Sequence, residues 1–205
     1  DVPTIAARVS APDGTVKYGV SLPGGGTVET VFMTQRDRIT LCASSQVGCA
    51  LMCGFCLTAR MGLIRHLTAG EIVGQIALIQ EDQSLRDRPF NIVFMGMGEP
   101  LHNYDGVVAA FRLLVDPAGF ALARRRITIS TSGLAPAIER IRNFAGRTGR
   151  SVLDILILAM RDLRGVSSLV CCTVQGPGEG REGGAGAGGR KTAHEFSIHR
   201  GRADE

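Results

Sequence analysis

Three cysteines fall within eight residues, Cys49-Ala-Leu-Met-Cys53-Gly-Phe-Cys56, at C-x3-C-x2-C spacing. Thiolates are the usual protein ligands of iron–sulfur clusters, and a [4Fe-4S] cube ordinarily takes four of them. Three closely spaced cysteines would hold three irons and leave the fourth open. An open iron can be chelated by the amino and carboxylate groups of S-adenosylmethionine (SAM). Electron transfer from a reduced cluster then cleaves the sulfonium bond to a 5′-deoxyadenosyl radical. Cluster potentials extend down to about −700 mV, the low range such a reduction demands. A structural zinc site fits less well, because it usually shows two Cys or Cys/His pairs. Here C-x2-C occurs once, and His66 lies ten residues beyond Cys56, a separation that matches no standard zinc pattern. A disulfide does not account for three thiols in so short a run, and burial as small hydrophobes would account for one of them rather than all.

The elements that would position these thiols can be read from pattern and punctuation. Residues 16–21 and 27–33 read as strands separated by Pro23-Gly24-Gly25-Gly26, and a third strand over 38–43 leads into the cysteine segment. Thr68 with Glu71 three residues on makes a capping box, and Ile72, Val73, Ile76, Ala77 and Ile79 form a helical apolar stripe to about residue 82. A short strand over 91–95 is predicted, then a helix over 104–115 ended by Pro117. A strand over 127–130, a helix over 135–145 and a buried strand over 152–159 complete the pattern. Apolar strands alternating with amphipathic helices predict an α/β fold with a parallel sheet. Eight glycines crowd residues 176–189, and a segment with so little to bury is expected to be disordered. With 205 residues and a 44% hydrophobic content the chain can bury a core, and it contains no apolar run long enough to span a bilayer. The formal charge of +4 leans only mildly towards an anionic partner. Arg60, Arg65, His66 and the run Arg124 to Arg126 could neutralise phosphates, or form an ordinary solvated face.

The segments TLCASSQVGCALMCGFC, LTAGEIVGQI, MGMGEPLHNYDGVV and RRRITISTSGLAPAI, in that order over residues 16–145, resemble the RlmN/Cfr-type radical SAM RNA adenine methyltransferases. The resemblance implies an incomplete radical-SAM (βα) partial barrel, preceded by a short β-rich segment. Its division would be 1–37 for the β-rich segment, 38–170 for the core (divergent after about 145) and 171–205 for the Gly-rich tail. It implies methylation of an adenosine ring carbon, C2, in 23S rRNA and in tRNA, with a [4Fe-4S] cluster and SAM as cofactors. Cys49, Cys53 and Cys56 would be the cluster ligands. Gly98, Glu99 and Ser130 would contact SAM, each at a strand's end, where plain turns are the rival reading. Glu29 would accept a proton, although a strand glutamate more often faces solvent. Cys42 would release the enzyme–RNA adduct, although a lone cysteine is more often a buried small hydrophobe. RNA and an electron donor such as flavodoxin or ferredoxin would be the partners of a cytoplasmic monomer, with a plastid stroma as the eukaryotic alternative.

The pattern departs from the family after residue 145. A Ser-Leu-His segment expected near Val152-Leu153-Asp154 is missing, and Cys171-Cys172 does not stand in the family's Ala-Cys-Gly-Gln-Leu context. The alternative reading is therefore a non-catalytic [4Fe-4S]/SAM-binding remnant without a methyl-carrying cysteine.

Overall fold

In a computed structural model of the chain, residues 2–147 are described except Phe55, together with 154–157, 170–171 and 199–200. The first four strands, β1 (Thr4–Ser10), β2 (Val16–Ser21), β3 (Thr27–Gln35) and β4 (Arg38–Cys42), form an antiparallel meander. β1 was not legible in the sequence. All seven of its residues are exposed, so it carries no alternation of apolar and polar positions to betray it.

After β4 the chain makes a two-stranded ribbon, β5 (Gln46–Gly48) with β6 (Leu63–His66), around the short helix α1 (Leu57–Arg60). Then α2 (Ala69–Asp82), β7 (Asn91–Phe94), α3 (Tyr104–Val115), β8 (Ile127–Thr131), α4 (Ala135–Arg147) and β9 (Asp154–Ile157) alternate as the sequence predicts. The sheet has seven strands in the order β1-β2-β3-β4-β7-β8-β9. β4, β7, β8 and β9 run parallel, so β4 joins the meander to the α/β half in one continuous sheet. The described strands form an open sheet and no closed barrel. β10 (Val170–Cys171) and β11 (His199–Arg200) pair with each other antiparallel. The remainder of the segment expected to be disordered, Cys172 included, lies outside the described residues.

Strand alternation decides which face is covered. Ile39 and Leu41, Ile92 and Phe94, and Ile127 and Ile129 are buried in one core with Ile72, Ile76 and Ile79 of α2 and Val107, Phe111 and Leu114 of α3. Each such side chain contributes roughly 1.5–3 kcal/mol on burial. The intervening residues Thr40, Asn91, Val93 and Thr128 face the other way and line a groove of about 960 Å3. Among the described residues, no helix is long and apolar enough to cross a membrane.

The capping box of α2 forms as expected: the Thr68 hydroxyl accepts from the Glu71 N–H, and the Glu71 carboxylate accepts from the Thr68 N–H. Glu71 does more than cap. Arg65 Nη2 and Nη1 donate to its two oxygens at 2.6 and 2.8 Å, and the Gly24 N–H donates at 3.2 Å. Arg65 also donates to the Gly25 carbonyl, so one buried carboxylate ties the β2–β3 hairpin to β6 and α2. Arg65 is thus engaged in this internal bridge. Its hydrogen bonds hold the Glu71 carboxyl down to about 2. A carboxyl whose folded pKa is depressed stabilises fully above its unfolded value near 4.5, and that stabilisation fades as pH falls towards 2. Glu71→Gln is expected to cost about 2–3 kcal/mol in urea denaturation at neutral pH. The gap to wild type should close steadily between about pH 5 and pH 2; a gap that is flat with pH would refute the assignment.

Candidate active site

The carboxyl ends of parallel strands are where ligands of α/β folds collect, because the backbone fans apart there and leaves a crevice. Three such ends meet here. β4 runs out through Ala43, Ser44 and Ser45, and β7 through the turn from Met95 to Pro100. These two exits are stitched together: Ala43 N donates to Val93 O (2.9 Å), Gly96 N to Ala43 O (3.1 Å) and Ser45 N to Met97 O (2.9 Å). Ser44 Oγ accepts from Met97 N at 2.8 Å and donates to the Glu29 carbonyl.

Gly98 has φ +96°, a conformation that side chains rarely adopt, and a Cβ there would stand 2.5 Å from the Gln46 Cβ. Glu99 is 3% exposed. Its Oε1 accepts from the Leu101 N–H at 2.9 Å, and its Oε2 accepts from the N–H and hydroxyl of Ser132 at 2.8 and 2.9 Å. The carboxylate therefore braces the exit of β7 against that of β8.

The cysteine segment hangs from the β5–β6 ribbon. Cys49 N donates to the Gly62 carbonyl at 2.9 Å, and Cys56 N to the Cys53 carbonyl at 3.0 Å. Cys49 is buried, Cys53 and Cys56 are half-buried, and none is in a disulfide. All three thiols line one cavity of about 200 Å3, whose opposite wall is Gly98, Glu99, Ser130, Thr131 and Ser132. Burial pushes the Cys49 thiol up, and the neighbouring Cys53, Glu99 and Cys56 push it further. Three thiolates beside a carboxylate need a compensating cation, which a cluster's irons supply. The donor set fits an iron–sulfur cube. Among the described residues no group of three or more His, Cys, Asp or Glu side chains is placed to hold a single metal ion. A cube asks for something different, one thiolate per iron around a pocket.

Six of the eight residues singled out in the sequence thus meet at one cavity; Glu29 and Cys42 are not among its lining. Cys42 ends β4 opposite Val31, with its thiol pushed up to about 11 by burial. It is a neutral thiol at physiological pH. Glu29 lies two residues before Val31, hence on the same face of the sheet as Cys42. Its carboxylate pairs with Lys17 at 2.9 Å, both side chains being half exposed. Gln46 and Ser132 went unnoticed in the sequence. For Ser132 the available signal was its place two residues past Ser130, in the same strand exit. The larger groove adjoins the cavity through Met95, which lines both, and Arg38, Arg125 and Arg126 stand along it.

This open sheet, with a thiol triad facing its strand ends, defines the class. Residues 44–156, more than half of the chain, match the family model of the Radical SAM superfamily, and the chain belongs to that superfamily. Among curated proteins it is 49% identical over 150 residues to the dual-specificity RNA methyltransferase RlmN of Dinoroseobacter shibae, covering 68% of this chain and 38% of that one. It is 47% identical over 174 residues to the RlmN of Cereibacter sphaeroides, covering 76% and 44%. A crystal structure of a radical SAM methyltransferase from Sphaerobacter thermophilus superposes with a TM-score of 0.69 at 41% identity, over 76% of this chain and 45% of that one. The chain therefore spans about two-fifths of the length of the relatives it matches.

Proposed function

We propose that this chain is the cluster- and SAM-binding half of an RNA methyltransferase that modifies C2 of adenosine in 23S rRNA and tRNA. The observation that carries the reading is the convergence of Cys49, Cys53 and Cys56 with Gly98, Glu99 and Ser130 around a single cavity. The thiols would hold a [4Fe-4S] cluster; when bound, such a cluster supplies the electron that splits the sulfonium of SAM into a carbon radical. That chemistry suits an adenine ring carbon, which is too electron-poor for polar methyl transfer.

The chain's own residues would do the rest. A carboxylate offers about four acceptor positions, and three on Glu99 are filled, which leaves one on Oε1 for the SAM ammonium. Gly98 lets the backbone approach the ligand, and Ser130 offers a hydroxyl from the wall. The groove beside Met95, with Arg38, Arg125 and Arg126 along it, would receive the RNA strand and neutralise its phosphates. Glu29 would take a proton from the adenine carbon, and Cys42 would take part in releasing the enzyme–RNA adduct. A flavodoxin or ferredoxin would deliver electrons to this cytoplasmic monomer. A second reading, a non-catalytic [4Fe-4S]/SAM-binding remnant that cannot transfer methyl, is favoured by one observation: Cys171-Cys172 lies outside the methyl-carrier motif.

The test is spectroscopic. SAM added to the anaerobically reconstituted, reduced protein should change its EPR spectrum and release 5′-deoxyadenosine. An unchanged spectrum would overturn the open-iron assignment. Label from methyl-labelled SAM then separates the readings: label in RNA supports the methyltransferase, whereas SAM binding without labelled RNA supports the second.

A further inference from the structure

Gln46 is a fully buried amide beneath the Gly98–Glu99 turn. The Glu99 N–H lies 2.7 Å from its side chain, and an N–H can only donate, so the atom facing it is the carbonyl oxygen. That orientation turns the NH2 group towards two imidazoles: His66 Nδ1 at 2.8 Å and His102 Nδ1 at 3.3 Å. An amide NH2 has two hydrogens to give and accepts nothing. Both Nδ1 atoms must therefore accept, which makes both rings neutral with their protons on Nε2. The rings meet edge to face, with centroids 5.0 Å apart. One amide thus links β5, the end of β6, the β7 exit and the approach to α3.

We infer that Gln46 is a positioning residue of the SAM site, holding the Gly98–Glu99 turn in its binding shape while His66 and His102 are both neutral. The inference rests on the cavity being a SAM site, as proposed above. Protonating either ring replaces an acceptor by a donor. No orientation of the carboxamide then serves both neighbours, because offering oxygen to an imidazolium turns NH2 against the Glu99 N–H. Either a histidine leaves or the turn loses its anchor. Other charged groups nearby are occupied: the Glu99 carboxylate is held by Leu101 and Ser132, and Arg65 by Glu71 and Gly25. Burial and the adjoining His102 hold the His66 imidazole below its usual value, which favours its neutral form.

Two measurements test this, and the first needs neither cluster nor SAM. In nitrogen-15 NMR of the wild-type chain at about pH 7.5, both histidines should lack a proton on Nδ1. The Glu99 amide resonance should shift together with the histidine titration on acidification. A proton on either Nδ1, or a Glu99 amide unmoved between about pH 8 and pH 5.5, overturns the inference. The second is SAM affinity of the anaerobically reconstituted protein by calorimetry. Wild type should weaken at least about fivefold over the same range, whereas Gln46→Glu should tighten, because a carboxylate accepts from both the Glu99 N–H and an imidazolium. Equal weakening of both proteins overturns the inference; should the variant fail to fold, the wild-type resonances still decide. Absence of SAM binding at every pH overturns the cofactor reading instead, and the coupling of Glu99 to the histidines is then judged by the resonances alone.

Discussion

Cys53→Ala is expected to leave the anaerobically reconstituted chain with only background iron and sulfide, against about four of each per chain for the wild type. The size of the effect follows from the ligand count. A cube held by three thiolates has none to spare, so losing one leaves two irons bound and two open to solvent. Cys53 is half-buried in the β5–β6 loop and outside the apolar core, so the substitution removes the proposed ligand without opening a cavity. Iron and sulfide assays read the loss, and a thermal melt of the unreconstituted variant should match wild type within about 0.5 kcal/mol. A variant that kept its full complement of iron would show that the thiol triad is not the ligand set.

Gly98→Ala is the other large effect, and it acts on the opposite wall. The new methyl would lie 2.5 Å from Gln46 Cβ, 2.7 Å from Cγ and 2.8 Å from Oε1, against a side chain that is itself fully buried. It would also have to adopt φ +96°. Strain of this kind costs about 1–3 kcal/mol, and overpacking costs a similar amount. The turn relieves both by moving away from Gln46, which carries Glu99 off its contacts with Ser132. Urea denaturation should register the stability loss, and SAM affinity should drop by at least about tenfold. Wild-type affinity in a folded Gly98→Ala protein would mean that this turn does not shape the cofactor site.

Local signals carried the parts of this protein that are local. Cys49, Cys53 and Cys56 lie within one loop, so their spacing alone suffices to propose a ligand set. The Thr68–Glu71 capping box and the α3 stripe ended by Pro117 are likewise written within a few residues, and both helices begin and end where expected. β1, without a buried face, and the three-residue β5 offered no comparable pattern.

What tertiary structure decided is which distant groups touch. Arg65 looked like a free cation until folding set Glu71 and the Gly25 carbonyl around it. Glu99 was expected only to contact SAM; the fold also brings Ser132 of the β8 exit onto its carboxylate. Gln46 carried no signal at all, because its part comes from His66, His102 and Glu99, which lie 20 to 56 residues away. A spacing motif records residues that must share one loop. A hydrogen bond across a sheet is set by strand order and by how closely two backbones approach, and one strand's residues do not encode either.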